Sequence, residues 1–158
     1  MENLVWAISL WTLVLILIPL QRLKEIWPVA IISFIWLFII EYIFVHLGYI
    51  QFTKYLIIIG GVPPFHLLGG SAGGILLMNW MQRNQLYKIL LVSSFSGLLV
   101  LSAHLFEKLD AFTYLNGFNH ALDFVLNVAG LSFLVWISLA LVGEETIYLA
   151  ENKTRFIK

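Results

Sequence analysis

The chain has 158 residues, 61% hydrophobic and only 11% charged, where soluble domains carry roughly 25% charged residues. That balance excludes a water-soluble globular core, and a formal net charge of zero gives no electrostatic bias toward nucleic acid. The absence of cysteine excludes disulfides, iron–sulfur clusters and thiolate zinc sites.

A helix that crosses a bilayer needs about 20 consecutive apolar residues, and five runs approach that length. The expected fold is all-α: one integral membrane bundle of about five helices occupying residues 1–158, without repeats, low-complexity tracts or a second domain. The first helix is expected at 4–20, closed by Pro19 and the charged QRLKE. Its start has neither the basic leader nor the small-residue cleavage site of a signal peptide, so it reads as a retained helix, and no lipidation motif is present. The second, 27–50, opens with Pro28, a residue tolerated in a first helical turn.

The third helix, 64–82, begins at Pro64, and residues 55–62 before it read as a lead-in or a broken half-helix. Its glycines fall as Gly69-x-x-x-Gly73 and Gly70-x-x-x-Gly74, a doubled close-packing register that predicts a place at the bundle centre or at a contact between copies. The fourth helix, 86–106, leads through the polar EKLDAFTYLNGFNH to a fifth at 121–142. The tail, 143–158, reads as a short charged helix or a frayed end.

Lysine and arginine in the loops set orientation. Arg22, Lys24, Arg83, Lys88, Lys153, Arg155 and Lys158 fall on one side, seven residues against Lys54 and Lys108 on the other. The expectation is an outside N-terminus and a cytoplasmic C-terminus. Trp6, Trp27, Tyr49, Tyr55, Trp80 and Tyr87 lie near helix ends, where aromatic rings settle at headgroup level. Trp11, Trp36 and Trp136 lie deeper and read as packing or lipid-facing bulk.

Polar groups inside a bilayer are costly, so they are where function is sought. With this topology all four histidines, His46, His66, His104 and His120, fall in the outer half, together with Glu41, Glu107 and Asp123. His104 and Glu107 are three residues apart, as are His120 and Asp123, and such pairs share a helix face. Asn116, His120, Asp123 and Asn127 form one stripe if the last helix begins early. Glu41 lies about 140° round its helix from His46, so an undistorted helix cannot aim both at one centre. The four histidines are candidate ligands of a divalent metal such as zinc, and Glu41, Glu107 and Asp123 are candidate catalytic carboxylates. No H-E-x-x-H spacing is present, and interfacial histidines that only bond to their neighbours are the competing reading. Bis-histidine haem is a third. Glu41 is far from any loop and therefore faces a cavity, pairs with another side chain or stays protonated. The serines Ser93, Ser94, Ser96, Ser102, Ser132 and Ser138 read as packing residues, since no G-x-S-x-G is present.

PPFHLLGGSAGGILLMNWMQRN, the serine-bearing helix after it and the N..NHALD start of the last helix resemble small uncharacterised multi-pass membrane proteins of Bacillus-type bacteria. The resemblance implies a bacterial cytoplasmic membrane and carries no activity with it. The glutamate-pair motif of intramembrane CAAX-type proteases is not matched, because EETIYLAENKTR lies in the tail. Three functions follow as expectations: a non-enzymatic transport, sensing or accessory component, a metal-dependent membrane hydrolase, and a proton-coupled carrier using Glu41 and His66. The expected partners are the lipid bilayer and either further copies or other membrane subunits, with no nucleic acid.

Overall fold

A computed structural model describes residues 2–153. Arg155 and Lys158, counted above in the tail, lie outside the described residues. The elements in chain order are α1 (Glu2–Leu17), α2 (Leu20–Ile26), α3 (Pro28–His46), β1 (Ile50–Phe52), α4 (Pro64–Asn79), α5 (Gln85–Lys108), β2 (Phe112–Tyr114), α6 (His120–Val142) and α7 (Glu144–Lys153). Three helices, α3, α5 and α6, are long and apolar enough to cross a membrane. Each carries apolar side chains outward as well as inward, among them Ile31, Ile35 and Ile39 on α3 and Ile89, Leu98 and Leu101 on α5. A helix that is apolar all round suits lipid on its outer face.

The first helix is shorter than its hydropathy suggests. Pro19 lacks an N–H and biases Ile18 out of the helical region, so α1 stops at Leu17. The chain bends by 116° and runs on as α2, which uses the charged residues first read as a loop. This short helix crosses the end of the bundle and meets α7. Arg22, 5% exposed, donates from Nη1 to Thr146 O and from Nη2, at 2.6 Å, to Ile147 O. Its Nη1 also lies 3.2 Å from Glu25 Oε2. Ile26, Ile147 and Tyr148 close a core beneath, and Arg83 and Lys88 stand 5.3 and 5.1 Å from the Tyr148 ring.

At the other end α3 ends at His46, four residues before the expected boundary, and the chain enters β1. The connection before α6, expected only as a polar link, contains β2. The two strands pair antiparallel as Ile50↔Tyr114, Gln51↔Thr113 and Phe52↔Phe112. Ile50, Phe52 and Phe112 point inward and form a second, smaller core with Val62 and Leu67. Thr53 donates to Asp110 O, and Lys54 Nζ to Leu109 O, so side chains extend the strand pairing.

Residues 55–62 are not a half-helix. Ile59 and Val62 exchange both backbone hydrogen bonds at 3.0 Å around Gly60 and Gly61, whose φ values are 59° and 83°. Two successive positive φ angles make the two-residue hairpin turn for which glycine is preferred. Pro63 then caps α4, with Pro64 in its first turn as the sequence suggests.

The centre of the bundle is α4, although it ends at Asn79 and not at 82. Its two principal neighbours are α1 and α3, and Leu67, Gly69, Ser71, Ala72, Gly74 and Ile75–Met78 are buried. A Cβ at Gly69 would run into the Trp6 ring, one at Gly70 into Leu37, and one at Gly74 into the Ser33 hydroxyl. Such close approaches bring many atoms of α4 into dispersion contact with α1 and α3. Gly73 is different: a Cβ there meets nothing within 4 Å. It faces an internal space.

Candidate functional site

That space is a cavity of about 160 Å³ between the two cores. Helical spacing builds its wall. Ser33, Leu37 and Glu41 on α3 recur every four residues, as do His66, Gly70 and Gly74 on α4, and Asp123, Asn127, Leu131 and Gly130 line it from α6. Trp6 and Leu10 enter from α1, and Phe95, Leu99 and Phe106 from α5. Ile50 and Phe112 of the strand pair roof it, with Phe118 beside them. The glycines leave the room, and aliphatic and aromatic side chains line most of it.

Glu41 is 7% exposed and points into this wall. Its Oε1 lies 3.0 Å from His66 Nε2. Asn3 Nδ2 donates to Lys54 O at 3.2 Å, which leaves Asn3 Oδ1 as the acceptor for His66 Nδ1–H at 3.3 Å. One proton therefore sits between His66 Nε2 and Glu41 Oε1, either on an imidazolium facing a carboxylate or on a carboxyl facing a neutral imidazole. Glu41 Oε2 and Ser33 Oγ, both buried, have no hydrogen-bond partner among the described residues. Each such orphan costs about 1–3 kcal/mol, so they mark polar capacity held ready at the cavity.

Asp123 approaches from the opposite wall, and Tyr114 Oη donates to its Oδ2 at 2.7 Å. Burial pushes the Tyr114 phenol up from its ordinary value, and the neighbouring carboxylates of Asp123 and Glu107 push it further. The phenol stays a protonated donor. β2, which sequence reading did not anticipate, is what aims it.

The four histidines do not share one centre. His46 is exposed on the outside of α3, stacked 3.9 Å from the Tyr42 ring, with Nδ1 2.8 Å from Tyr42 O. The 140° separation from Glu41 predicts this outcome. His66 belongs to the cavity. His104 and His120 meet each other, Nδ1 to Nε2, at 3.3 Å, and Glu107 Oε2 lies 3.2 Å from the same His120 Nε2. His104, Glu107 and His120 place one ligand atom each within 4.8 Å of the others, the one such group among the described residues. The four expected metal ligands are thus divided: His66 lines the cavity, His104 and His120 meet beside Glu107, and His46 stands apart. Of the candidate carboxylates, Glu41 and Asp123 line the cavity and Glu107 joins the trio.

Sequence reasoning put Asn127 on one stripe with Asp123 but missed Ser33 as a wall residue and the aromatic lining as a set. The recurrence of Ser33, Leu37 and Glu41 at four-residue intervals was the available signal. Trp11 and Trp36, read as bulk, also tie helices together: Trp11 Nε1 donates to Leu68 O at 3.0 Å and Trp36 Nε1 to Gly130 O at 2.9 Å. Comparison of the chain with protein-family models, curated proteins and solved structures finds no match.

Proposed function

We propose that this chain is a non-enzymatic membrane component of the transport, sensing or accessory kind, and that its cavity takes a small lipophilic cation. The observation that carries the reading is Glu41 Oε2, buried without a partner in the wall of a mainly apolar cavity. An empty apolar cavity of about 150 Å³ accepts a molecule the size of benzene. This one adds two carboxylates, Glu41 and Asp123, and the side chains of Trp6, Trp36, Phe95 and Phe106 in its lining. Carboxylates and aromatic rings together suit an ammonium group with an apolar body.

Tetramethylammonium, close to benzene in size, tests this by calorimetry on the purified protein, with neopentane as its neutral shape analogue. The cation is expected to bind one to one, and Glu41→Gln to weaken it by about tenfold, or about 1.4 kcal/mol, while the hydrocarbon is indifferent to the change. Equal binding of the two molecules to the wild-type protein would sink the reading. A proton-coupled carrier is the second reading, favoured by the single proton between His66 and Glu41. A cation that takes up the Glu41 carboxylate then releases that proton, visible as acidification of a weakly buffered sample; binding with no proton release counts against it.

The setting we infer is a bacterial cytoplasmic membrane crossed five times, with the N-terminus and the strand pair outside and α2 and α7 at the cytoplasmic face. It rests on the seven-to-two distribution of Lys and Arg and on the common end of the bundle shared by Asn3, Lys54 and His66. The chain has no native thiol, so single cysteines report cleanly. A cysteine at Glu2 is expected to react with an impermeant maleimide added to intact cells, and one at Lys24 only after lysis. The reverse pattern overturns the orientation.

A further inference from the structure

The geometry points to a zinc-class divalent metal site formed by His104, Glu107 and His120, separate from the cavity and with one coordination position open to water. Three features on the page carry it. His104 and Glu107 sit one turn apart near the end of α5, and His120 opens α6, so the trio bridges the two helices across the β2 connection. The spacing, which the three side chains reach as neighbours in hydrogen-bond contact, is also that of ligands around one metal ion. A tetrahedral zinc with bonds of about 2.0–2.1 Å holds its ligand atoms about 3.3 Å apart. His120 Nε2 lies 3.3 Å from His104 Nδ1 and 3.2 Å from Glu107 Oε2.

The third feature is proton count. His120 Nε2 carries at most one hydrogen, yet it faces both an imidazole nitrogen and a carboxylate oxygen at bonding distance. One proton cannot serve both directions, whereas one cation facing all three lone pairs satisfies the set together. Two imidazoles and one carboxylate are a donor set suited to zinc. The side chains of His120 and Glu107 are 40% and 37% exposed, so water reaches the site and supplies the fourth ligand. A three-ligand site with an open position is the form that zinc takes where it binds water or substrate, while structural sites are closed by four protein ligands.

The test uses the full chain in detergent, stripped with chelator and then titrated with zinc alone, and with cobalt as a spectroscopic substitute. The expected result is one equivalent of zinc. His104→Ala and His120→Ala should each weaken binding by more than about tenfold, the scale on which even loss of an outer-shell partner acts, and His46→Ala should leave it unchanged. A wild-type protein that takes up no zinc, or two histidine variants that bind like wild type, overturns the site. His104→Cys keeps the question decidable if the alanine variants do not fold. In a chain with no other thiol, cobalt must then show a thiolate charge-transfer band, and its absence in folded protein also overturns the assignment.

Discussion

Phenylalanine in place of Gly73 is expected to abolish uptake of tetramethylammonium, a loss of at least about a hundredfold, or about 2.8 kcal/mol, while leaving the bundle as stable as before or more so. The four glycines of α4 look alike in the sequence, but only this one has open space in front of it. A Cβ on Gly69, Gly70 or Gly74 collides with Trp6, Leu37 or Ser33, whereas one on Gly73 meets nothing within 4 Å and projects into the cavity. Replacing a helical glycine also removes a backbone penalty of about 0.8–1.0 kcal/mol relative to alanine, and a ring in the cavity gains dispersion contacts. The same change at Gly74 overpacks a tight contact, at a cost of about 1–3 kcal/mol. Calorimetry and thermal unfolding of Gly73→Phe beside Gly74→Phe therefore separate blocking from damage. Wild-type affinity in a folded Gly73→Phe protein would remove the cavity as the binding site.

Arg22→Ala is expected to detach α7 from the bundle and to cost on the order of 3 kcal/mol, the sum of two charge-assisted hydrogen bonds to backbone carbonyls. Arg22 is 5% exposed and serves Thr146 O and Ile147 O at once, with Glu25 on the same guanidinium. Without it, Ile147 and Tyr148 lose the partner that holds them against Ile26. Faster amide exchange and new protease sensitivity around 144–148 are the measurable result, with the rest of the chain unchanged. Arg22→Lys should recover only part of the loss, because a lysine is a point charge and cannot fork onto two carbonyls. Unaltered protection of α7 in the alanine variant would show that burial alone holds it.

Local chemistry made some of this architecture legible in the sequence. Proline in a first turn placed the starts of α3 and α4, and long apolar runs placed α5 and α6 to within two residues. The helical angle of about 140° between Glu41 and His46 is enough to separate them. What was not legible depends on residues far apart in the chain. QRLKE looks like a loop because it is charged, yet α2 forms since Arg22 finds its carbonyl acceptors 124 and 125 residues away. β1 and β2 are three residues each, too short for an alternating pattern to stand out, and each exists because the other does. Glu41 and His66 were each singled out, but their 3.0 Å contact depends on the α3–α4 packing that the glycines allow. The metal trio was half visible in the His104–Glu107 spacing; its third member comes from the next helix.

The strand pair also has a meaning in time. β1 and β2 are joined by partners about sixty residues apart, Ile50 with Tyr114 and Phe52 with Phe112. A chain made from its N-terminus has α1, α3 and α4 before it has anything to pair with β1. The α1–α4 contact closes an interval of similar length, Trp11 with Leu68, but both of its halves are made before α5 and β2 exist. The roof over the cavity is therefore a late event in biogenesis, set only after α5 is in place, and Asp123 follows later still. Until then the Glu41–His66 wall is assembled but uncovered, and the nascent protein passes through a stage in which its most polar interior faces outward.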